Sequence, residues 1–308
     1  MRRATLRVII VIWIIIAVAL TAILALAIFF RGIGFSGGSI SGNMETLLDQ
    51  TCSVDGIDKV SLMMSSDEVS LHIGGDDQVR VLHLARGYGK NEAARVDKSG
   101  GRLRITRSSG ACVWRIISFG NRRSRIDIWL PGSLVAQLDV DLRSGELRFE
   151  DDFAFTDLAV ELSSGIVRCD GTLTASEADI RVMSGKIELG ALHANRFSLA
   201  TSSGVLRVDD LTGVGGVNVT SGTIQLNRVE LGEYLDVDVS SGTVKIGIAG
   251  DPAFQFSGKR TSGSIKAYFD LSYSDKLSGN VNAAVGDDPQ KRLNVEVTSG
   301  TVNIFQTS

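Results

Sequence analysis

The chain has 308 residues, with 32 lysines and arginines against 35 aspartates and glutamates, and a net charge of −3. This balance argues against a nucleic-acid partner, because proteins that bind nucleic acids present strongly basic surfaces. Three cysteines are too few for a disulfide framework. Cys52 and Cys112 are candidates for one bridge in an oxidising compartment, and the sequence leaves open whether they pair.

The first element predicted is a membrane-spanning helix. Residues Val8 to Phe30 are apolar apart from Thr21, and at about 1.5 Å per residue they cross the roughly 30 Å hydrocarbon core. Three arginines precede the segment: Arg2, Arg3 and Arg7. By the positive-inside rule, residues 1–30 form a cytoplasmic stub and a transmembrane helix of a single-pass cell-membrane protein, and the rest is extracytoplasmic. The alternative is a cleaved signal peptide ending near Ala25-Leu26-Ala27, but the apolar run is long for one.

The remaining chain divides into a spacer and one domain. Residues 31–56 are rich in Gly and Ser and are predicted to form a flexible spacer. Residues 57–308 form the predicted extracytoplasmic domain. Its first part, 57–137, keeps strand alternation without a fixed period, which indicates irregular N-terminal coils that cap the domain. Its second part, 138–308, is a repeat, interrupted by a predicted protruding loop at 268–291.

The repeat is marked by eight Ser-Gly pairs. They are Ser144-Gly145, Ser164-Gly165, Ser184-Gly185, Ser203-Gly204, Ser221-Gly222, Ser241-Gly242, Ser262-Gly263 and Ser299-Gly300. Successive glycines lie 20, 20, 19, 18, 20, 21 and 37 residues apart. Self-similarity at such a period is typical of repeat architectures, in which each unit buries its apolar face against its neighbours.

Apolar residues keep a constant register around each pair. They lie two and four residues after each glycine, as in Leu147 and Phe149, and they alternate before the serine, as in Val140 and Leu142. Period-2 alternation predicts strands with one buried face. Each Ser-Gly is therefore predicted to be a structural corner between two strands, with the serine pointing inward and the glycine supplying the bend. The predicted fold is all-β: a single parallel, right-handed β-solenoid (β-helix) with one coil per repeat.

The chain resembles the bacterial putative adhesin family, a domain of unknown function built from β-strand repeats. The resemblance is carried by the Ser-Gly repeats, the strand that ends at Leu130-Pro131 and the N-terminal anchor. The resemblance covers about residues 57–308. It implies a β-helical extracytoplasmic domain without an established enzyme activity, and no catalytic or binding residue carries over. The family is also similar to outer domains of membrane proteins that tune cell-envelope stress signalling.

No catalytic, cofactor or metal site is predicted. His72, His83 and His193 have no metal-ligand spacing, and they are interpreted as ordinary surface or core residues. Cys169 lies at an inward repeat position and is expected to be a buried free thiol. Asp141 and Glu161 are expected one coil apart, where Arg181 is a better candidate than calcium to neutralise them. A basic cluster formed by Arg115 and residues 122–125 is interpreted as a solvated turn, and a surface that faces the membrane is the alternative.

One column offers a candidate binding surface. Three residues after the corner glycines, the outward positions include five basic residues: Arg148, Arg168, Arg207, Lys245 and Lys266. Acidic residues dominate before the corners: Asp139, Asp141, Glu161, Asp179, Asp236, Asp238 and Glu296. One interpretation is a basic stripe that binds an anionic envelope polymer or lipid headgroup. The alternative, which the charge pattern favours, is a solvated wall with cross-coil ion pairs.

These observations predict a membrane-anchored, non-enzymatic binding or scaffold module of adhesin-like type in the bacterial cell envelope. Its partners are the membrane and either an envelope polymer or glycan or a membrane signalling protein. The second hypothesis is an accessory protein in cell-envelope stress signalling. Such a protein would contact its partner through the anchor or residues 31–56. The third, by fold analogy alone, is a polysaccharide-active β-helix enzyme; the short, uniform coils argue against it.

Overall fold

The computed structural model describes residues 44–75, 77–107, 122–132, 134, 136–250, 253–269, 272–277, 280–287 and 289–307. These residues form one unit. Fourteen strands pair into one sheet, and one 3-10 turn spans Lys90–Glu92. The strands are β1 (Glu45–Ser53), β2 (Lys59–Met64), β3 (Asp67–Gly74), β4 (Gln78–Arg86), β5 (Arg95–Ser99), β6 (Arg102–Arg107), β7 (Arg123–Pro131), β8 (Gln137–Phe149), β9 (Phe153–Ala249), β10 (Phe254–Arg260), β11 (Ser264–Tyr268), β12 (Ser272–Leu277), β13 (Asn280–Val285) and β14 (Lys291–Thr307). The all-β prediction is confirmed.

The repeat stacks in parallel and in register. β8 pairs with the beginning of β9 so that Leu138 lies opposite Leu158 and Gly145 opposite Gly165. β9 then continues through 97 residues as successive coils. Because equivalent residues lie above one another, the alternating apolar side chains form a continuous buried core. The predicted inward positions after the glycines are buried in seven of the eight repeats, and the exception, Ile265 and Ala267 in β11, is half-buried.

The corner glycines form a column of direct backbone contacts. Gly185 has a φ of +139° and lies against Gly165, whose carbonyl oxygen would overlap a Cβ added at Gly185. A side chain is therefore excluded both by space and by the backbone conformation. Gly165 and Gly204 have φ values of +138° and +140° and make the same contact with the preceding coil. The corner thus requires glycine for close stacking as well as for the bend.

The inward direction predicted for the corner serines is wrong. All eight serines are exposed. In the first repeat, Arg143 and Ser144 are both exposed between the buried Leu142 and Leu147, so the alternation of the strand is interrupted at the bend. Because the eight corner serines are exposed, they do not form an inward ladder of hydroxyl groups.

At the N-terminal end, spatial order differs from chain order. β2 pairs in parallel with both β8 and β6, and β3 pairs in parallel with both β8 and β7. The coil made by β2 and β3 therefore lies directly on the repeat, and β6 and β7 form the next coil outside it. Antiparallel strands complete this end: β4 on β7, β5 on β6 and β1 on β4.

The C-terminal end shows the same inversion. β14 pairs with the last coil of β9 and, on its other side, with β10 and β11. The glycine column consequently runs from Gly242 to Gly300 and only then to Gly263. The predicted protruding loop at 268–291 instead contains β12 and β13, which pair with each other, and β13 pairs antiparallel with β10. This segment continues the sheet.

Two predictions concern the region before residue 57. The second half of the predicted spacer contains β1, whose residues Glu45–Ser53 pair antiparallel with β4, so this part is ordered in the sheet. The predicted transmembrane segment, Val8 to Phe30, lies outside the described residues. Among the residues that are described, no helix is long and apolar enough to cross a membrane.

Candidate binding groove

The column that follows the corner glycines lines an open groove. In-register pairing places Arg148 beside Arg168, and with Arg207 they line a groove of about 400 Å³. The side chains of the three arginines remain 36%, 32% and 47% exposed, respectively. Acidic residues from the same coils share the lining: Asp170, Glu188 and Asp209. Three of the five predicted stripe residues therefore meet in one groove, which has equal numbers of basic and acidic side chains.

Ion pairs link the coils along this groove. Arg168 reaches Glu188 on one side, with 2.9 Å between Nη2 and Oε2, and Glu146 on the other, with 3.5 Å between Nη1 and Oε1. The Nε atom of Arg148 lies 2.8 Å from Oε1 of Glu146. The cross-coil ion pairs predicted by the alternative to a basic stripe are therefore present in this part of the wall.

The pairing also shifts the pKa values of two groups. The hydrogen bond from Arg168 to Glu188 raises the pKa of the arginine. A hydrogen bond from Lys186, followed by that from Arg168, lowers the pKa of Glu188. The Nζ atom of Lys186 lies 2.5 Å from Oε1 of Glu188. Both groups of the pair are accordingly charged at neutral pH.

Arg207 hydrogen-bonds to an acid two residues farther along the chain, Asp209. Its Nε atom donates to Oδ1 of Asp209 at 2.9 Å, and the amide of Asn227 donates to the same oxygen at 2.6 Å. Arg148 makes an ion pair with Glu146 through Nε, without the geometry of a hydrogen bond. Both side chains line the groove and remain partly exposed to a ligand that enters it.

The other two predicted stripe residues lie farther along the wall. Asn303 lies opposite Lys245 on one side and opposite Lys266 on the other, so the two lysines are separated by a neutral residue. Both lysines are exposed. The inverted order of the last coils thus separates two basic positions that are consecutive in the sequence pattern.

The family model described as Toastrack DUF4097 matches residues 57–305. The chain belongs to this family. The family description assigns no activity, and no curated protein matches the chain.

Solved structures are similar to this Toastrack domain at low sequence identity. A protein from Bacteroides fragilis NCTC 9343, named a putative adhesin, is 13% identical, with 86% of this chain and 98% of that chain covered and a TM-score of 0.47. A protein from Parabacteroides distasonis ATCC 8503, named a putative lipid binding protein, is 12% identical, with 87% and 98% covered and a TM-score of 0.47. A putative adhesin from Parabacteroides merdae ATCC 43184 is 11% identical, with 86% and 97% covered and a TM-score of 0.45.

Two further sequence predictions concern the neighbours Asp141 and Glu161 and the pairing of Cys52. Asp141 lies opposite Glu161 as predicted, but Arg181 pairs with Asp179 at 2.7 Å instead of neutralising them. Among the described residues, no group of three or more His, Cys, Asp or Glu side chains is arranged to hold a metal ion. Cys112 and Arg115 lie outside the described residues, so the pairing of Cys52 stays open.

The histidines and Cys169 occupy different environments. His83 is fully buried, whereas His193 is exposed. His72 stacks on Trp129 with ring centroids 5.1 Å apart, and its Nε2 atom lies 3.3 Å from Oδ1 of Asp127. Cys169 is buried as predicted, and burial raises the pKa of its thiol to about 11.

A second cleft was not anticipated. It is lined by outward residues of the last coil of β9 and of β14, β10 and β13. Its acidic members Asp236, Asp238 and Glu296 were among the outward acids of the sequence pattern, but their neighbours from β10 and β13 were not singled out. Each of the four strands carries two polar residues separated by one residue that is buried or, for Val281, partly buried, and this is the sequence signal that marks the cleft.

Proposed function

We propose that this chain is a membrane-anchored, extracytoplasmic binding module of the bacterial cell envelope without enzyme activity. The observation that carries the proposal is the groove lined by Arg148, Arg168 and Arg207, in which Arg148 and Arg168 lie in register on neighbouring coils. Such a repeat can contact equivalent groups of a polymer at several coils at once, which strengthens weak individual contacts.

The chemistry of the groove favours a polymer with spaced anionic groups. A guanidinium group presents several N–H donors to phosphate or carboxylate oxygens. Arg207 is oriented by the hydrogen bond from its Nε atom to Asp209, and Arg148 by its ion pair with Glu146. The balancing acids in the groove disfavour a continuous polyanion and favour one whose charges are separated by neutral units.

The test measures retention of the full chain on immobilised poly(glycerol phosphate), with neutral dextran as the reference matrix. Wild type is expected to be retained, and Arg148→Ala and Arg207→Ala are each expected to reduce retention. Arg196→Ala is the matched control, because Arg196 is also ion-paired with an acid, Glu177, but lies outside the groove. Equal retention of all four proteins, or equal retention on dextran, would contradict the proposal.

A second candidate function has one specific observation in its favour. β1 follows the predicted anchor and lies at the end of the strand order, paired with β4. An edge strand offers backbone groups to an added strand of another protein. An accessory role in envelope stress signalling would use this edge. Crosslinking from Thr51 in membranes, compared with crosslinking from Arg196 on the wall, tests it: capture of one membrane protein from Thr51 alone supports the role.

A further inference from the structure

The second cleft is built from two in-register rows of polar side chains on the outer face of four neighbouring strands. It is open to solvent and has a volume of about 430 Å³. One row consists of Asp236, Asn294, Ser257 and Asn282, and the other of Asp238, Glu296, Lys259 and Asn280. Val237 and Val295 are buried between the two rows, and Val281 lies partly buried between them in β13. The cleft exists because β14 inserts between β9 and β10.

Several of these side chains are held in place by one another. The amide nitrogen of Asn294 donates to Oδ1 of Asp236 at 2.7 Å. The ammonium group of Lys259 lies 3.1 Å and 3.2 Å from the two carboxylate oxygens of Glu296. These contacts orient two carboxylates and one amide before a ligand arrives, which lowers the entropic cost of binding.

The cleft carries a negative charge. Three carboxylates and one ammonium group give it a formal charge of −2. Burial, and then repulsion from Glu296 and Asp236, raise the pKa of Asp238, while Lys259 opposes this shift. A cationic group in the cleft would relieve that repulsion, whereas an anionic ligand would add to it. The charge preference is opposite to that of the groove of Arg148, Arg168 and Arg207.

The polar rows are also suited to hydroxyl groups. Carboxylates accept, amides both donate and accept, and the serine hydroxyl does both, which matches the ability of sugar hydroxyls to donate and accept. Neighbouring strands lie about 4.8 Å apart, a spacing close to the width of one sugar ring. The rows therefore offer repeated contacts along an oligosaccharide that crosses the strands.

We infer that this cleft binds an amine-bearing saccharide, with its hydroxyl groups on the amide and serine positions and its ammonium group beside Asp236 and Asp238. This site is separate from the proposed polymer groove, and it rests on different residues. The two proposals can therefore fail independently.

The experiment is calorimetric titration of the full chain with glucosamine oligomers at pH 6, where the amines are protonated, and with the N-acetylated oligomers of equal length. The glucosamine oligomers are expected to bind at least tenfold more tightly than the N-acetylated ones. Asp238→Asn and Asp236→Asn are each expected to weaken binding about tenfold, since each removes a charged hydrogen-bond partner. Asp141→Asn is the matched control, because it removes an exposed outward carboxylate far from the cleft.

Several results would overturn the inference. Equal affinity for the two oligomers would show that the charge of the cleft does not select the ligand, and equal affinity for spermidine would show that the sugar hydroxyls do not contribute. The proposed site would also be refuted if neither oligomer bound the protein. It would be refuted as well if both cleft variants kept their binding, or if Asp141→Asn lost it. Circular dichroism of each variant shows that it is folded, and retention on poly(glycerol phosphate) reports on the other groove separately.

Discussion

Gly145 lies directly against the carbonyl group of Asp67, and this contact ends the glycine column at the N-terminal side of the repeat. Asp67 is buried, and its carboxylate is paired with the buried guanidinium group of Arg107. Arg107 also lies 4.4 Å from the ring of Tyr88 and donates from Nε to the carbonyl oxygen of Glu92. The base of the column is thus a charged contact that links β3 to β6.

Removing one partner of this pair is expected to be strongly destabilising. Arg107→Leu leaves the Asp67 carboxylate buried without its counter-charge, and we expect the free energy of unfolding to fall by about 3–5 kcal/mol. The double variant Asp67→Asn/Arg107→Leu should recover part of this loss, because no buried charge remains. Urea denaturation measures both. The single variant Asp67→Asn is measured in the same way. A loss in the double variant equal to the sum of the losses in Arg107→Leu and Asp67→Asn would contradict the pairing.

The glycine column predicts a steric effect inside the repeat. Gly185→Ala places a Cβ on the carbonyl oxygen of Gly165 at a φ of +139°, and we expect a loss of about 3 kcal/mol in the free energy of unfolding. Gly75→Ala is the control, because a Cβ at Gly75 meets no atom within 4 Å, and its effect should stay within about 0.5 kcal/mol. Equal denaturation midpoints for both variants would refute the close stacking.

His83 predicts that the protein loses stability in acid. Its Nδ1 atom accepts a hydrogen bond from the backbone N–H of Ala94 at 3.0 Å, so the neutral ring carries its proton on Nε2 and donates to Ser124 Oγ at 2.9 Å. Burial, and then the charge of Arg107, lower the pKa of His83 from 6.5 to about 4. Protonation would place a second N–H against that of Ala94.

The sign of the effect follows from the lowered pKa. Above pH 6.5 the ring is neutral in both states, and the full stability is present. Between pH 6.5 and about 4 the unfolded chain binds the proton first, so stability falls as the pH falls, by roughly 3 kcal/mol in total. Denaturation at pH 7 and pH 4.5 measures this loss. His83→Gln should reduce it, and the exposed His193→Gln should leave it unchanged.

Cys169 is expected to resist alkylation in the native protein. The thiol is buried and its pKa is about 11, so at pH 8 very little reactive thiolate is present. Iodoacetamide should modify Cys169 only after unfolding in urea, and mass spectrometry of the peptide that contains it measures the rate. Modification at the same rate without urea would show that the inward repeat position is open to solvent.

The sequence supports part of the candidate surface and misses the rest. The position three residues after each glycine predicts that Arg148 and Arg168 are neighbours, because the register repeats every 20 residues in this stretch. It does not predict which acid each arginine contacts, since Glu146 and Glu188 belong to different positions of the repeat. The sequence does not predict the second cleft, because β13 comes from the interrupted part of the repeat and because β14 pairs between β9 and β10, out of chain order.

By itself, the sequence determined the all-β class, the period, the corner glycines and the buried face of most strands, because alternation and backbone freedom are local properties. Only the tertiary structure decided the outward direction of Ser144, which depends on how the chain bends at Gly145. It also decided that Gly300 lies between Gly242 and Gly263. Strands with the same alternating pattern can pair in several orders, and the order adopted depends on long-range backbone hydrogen bonds that no local pattern records.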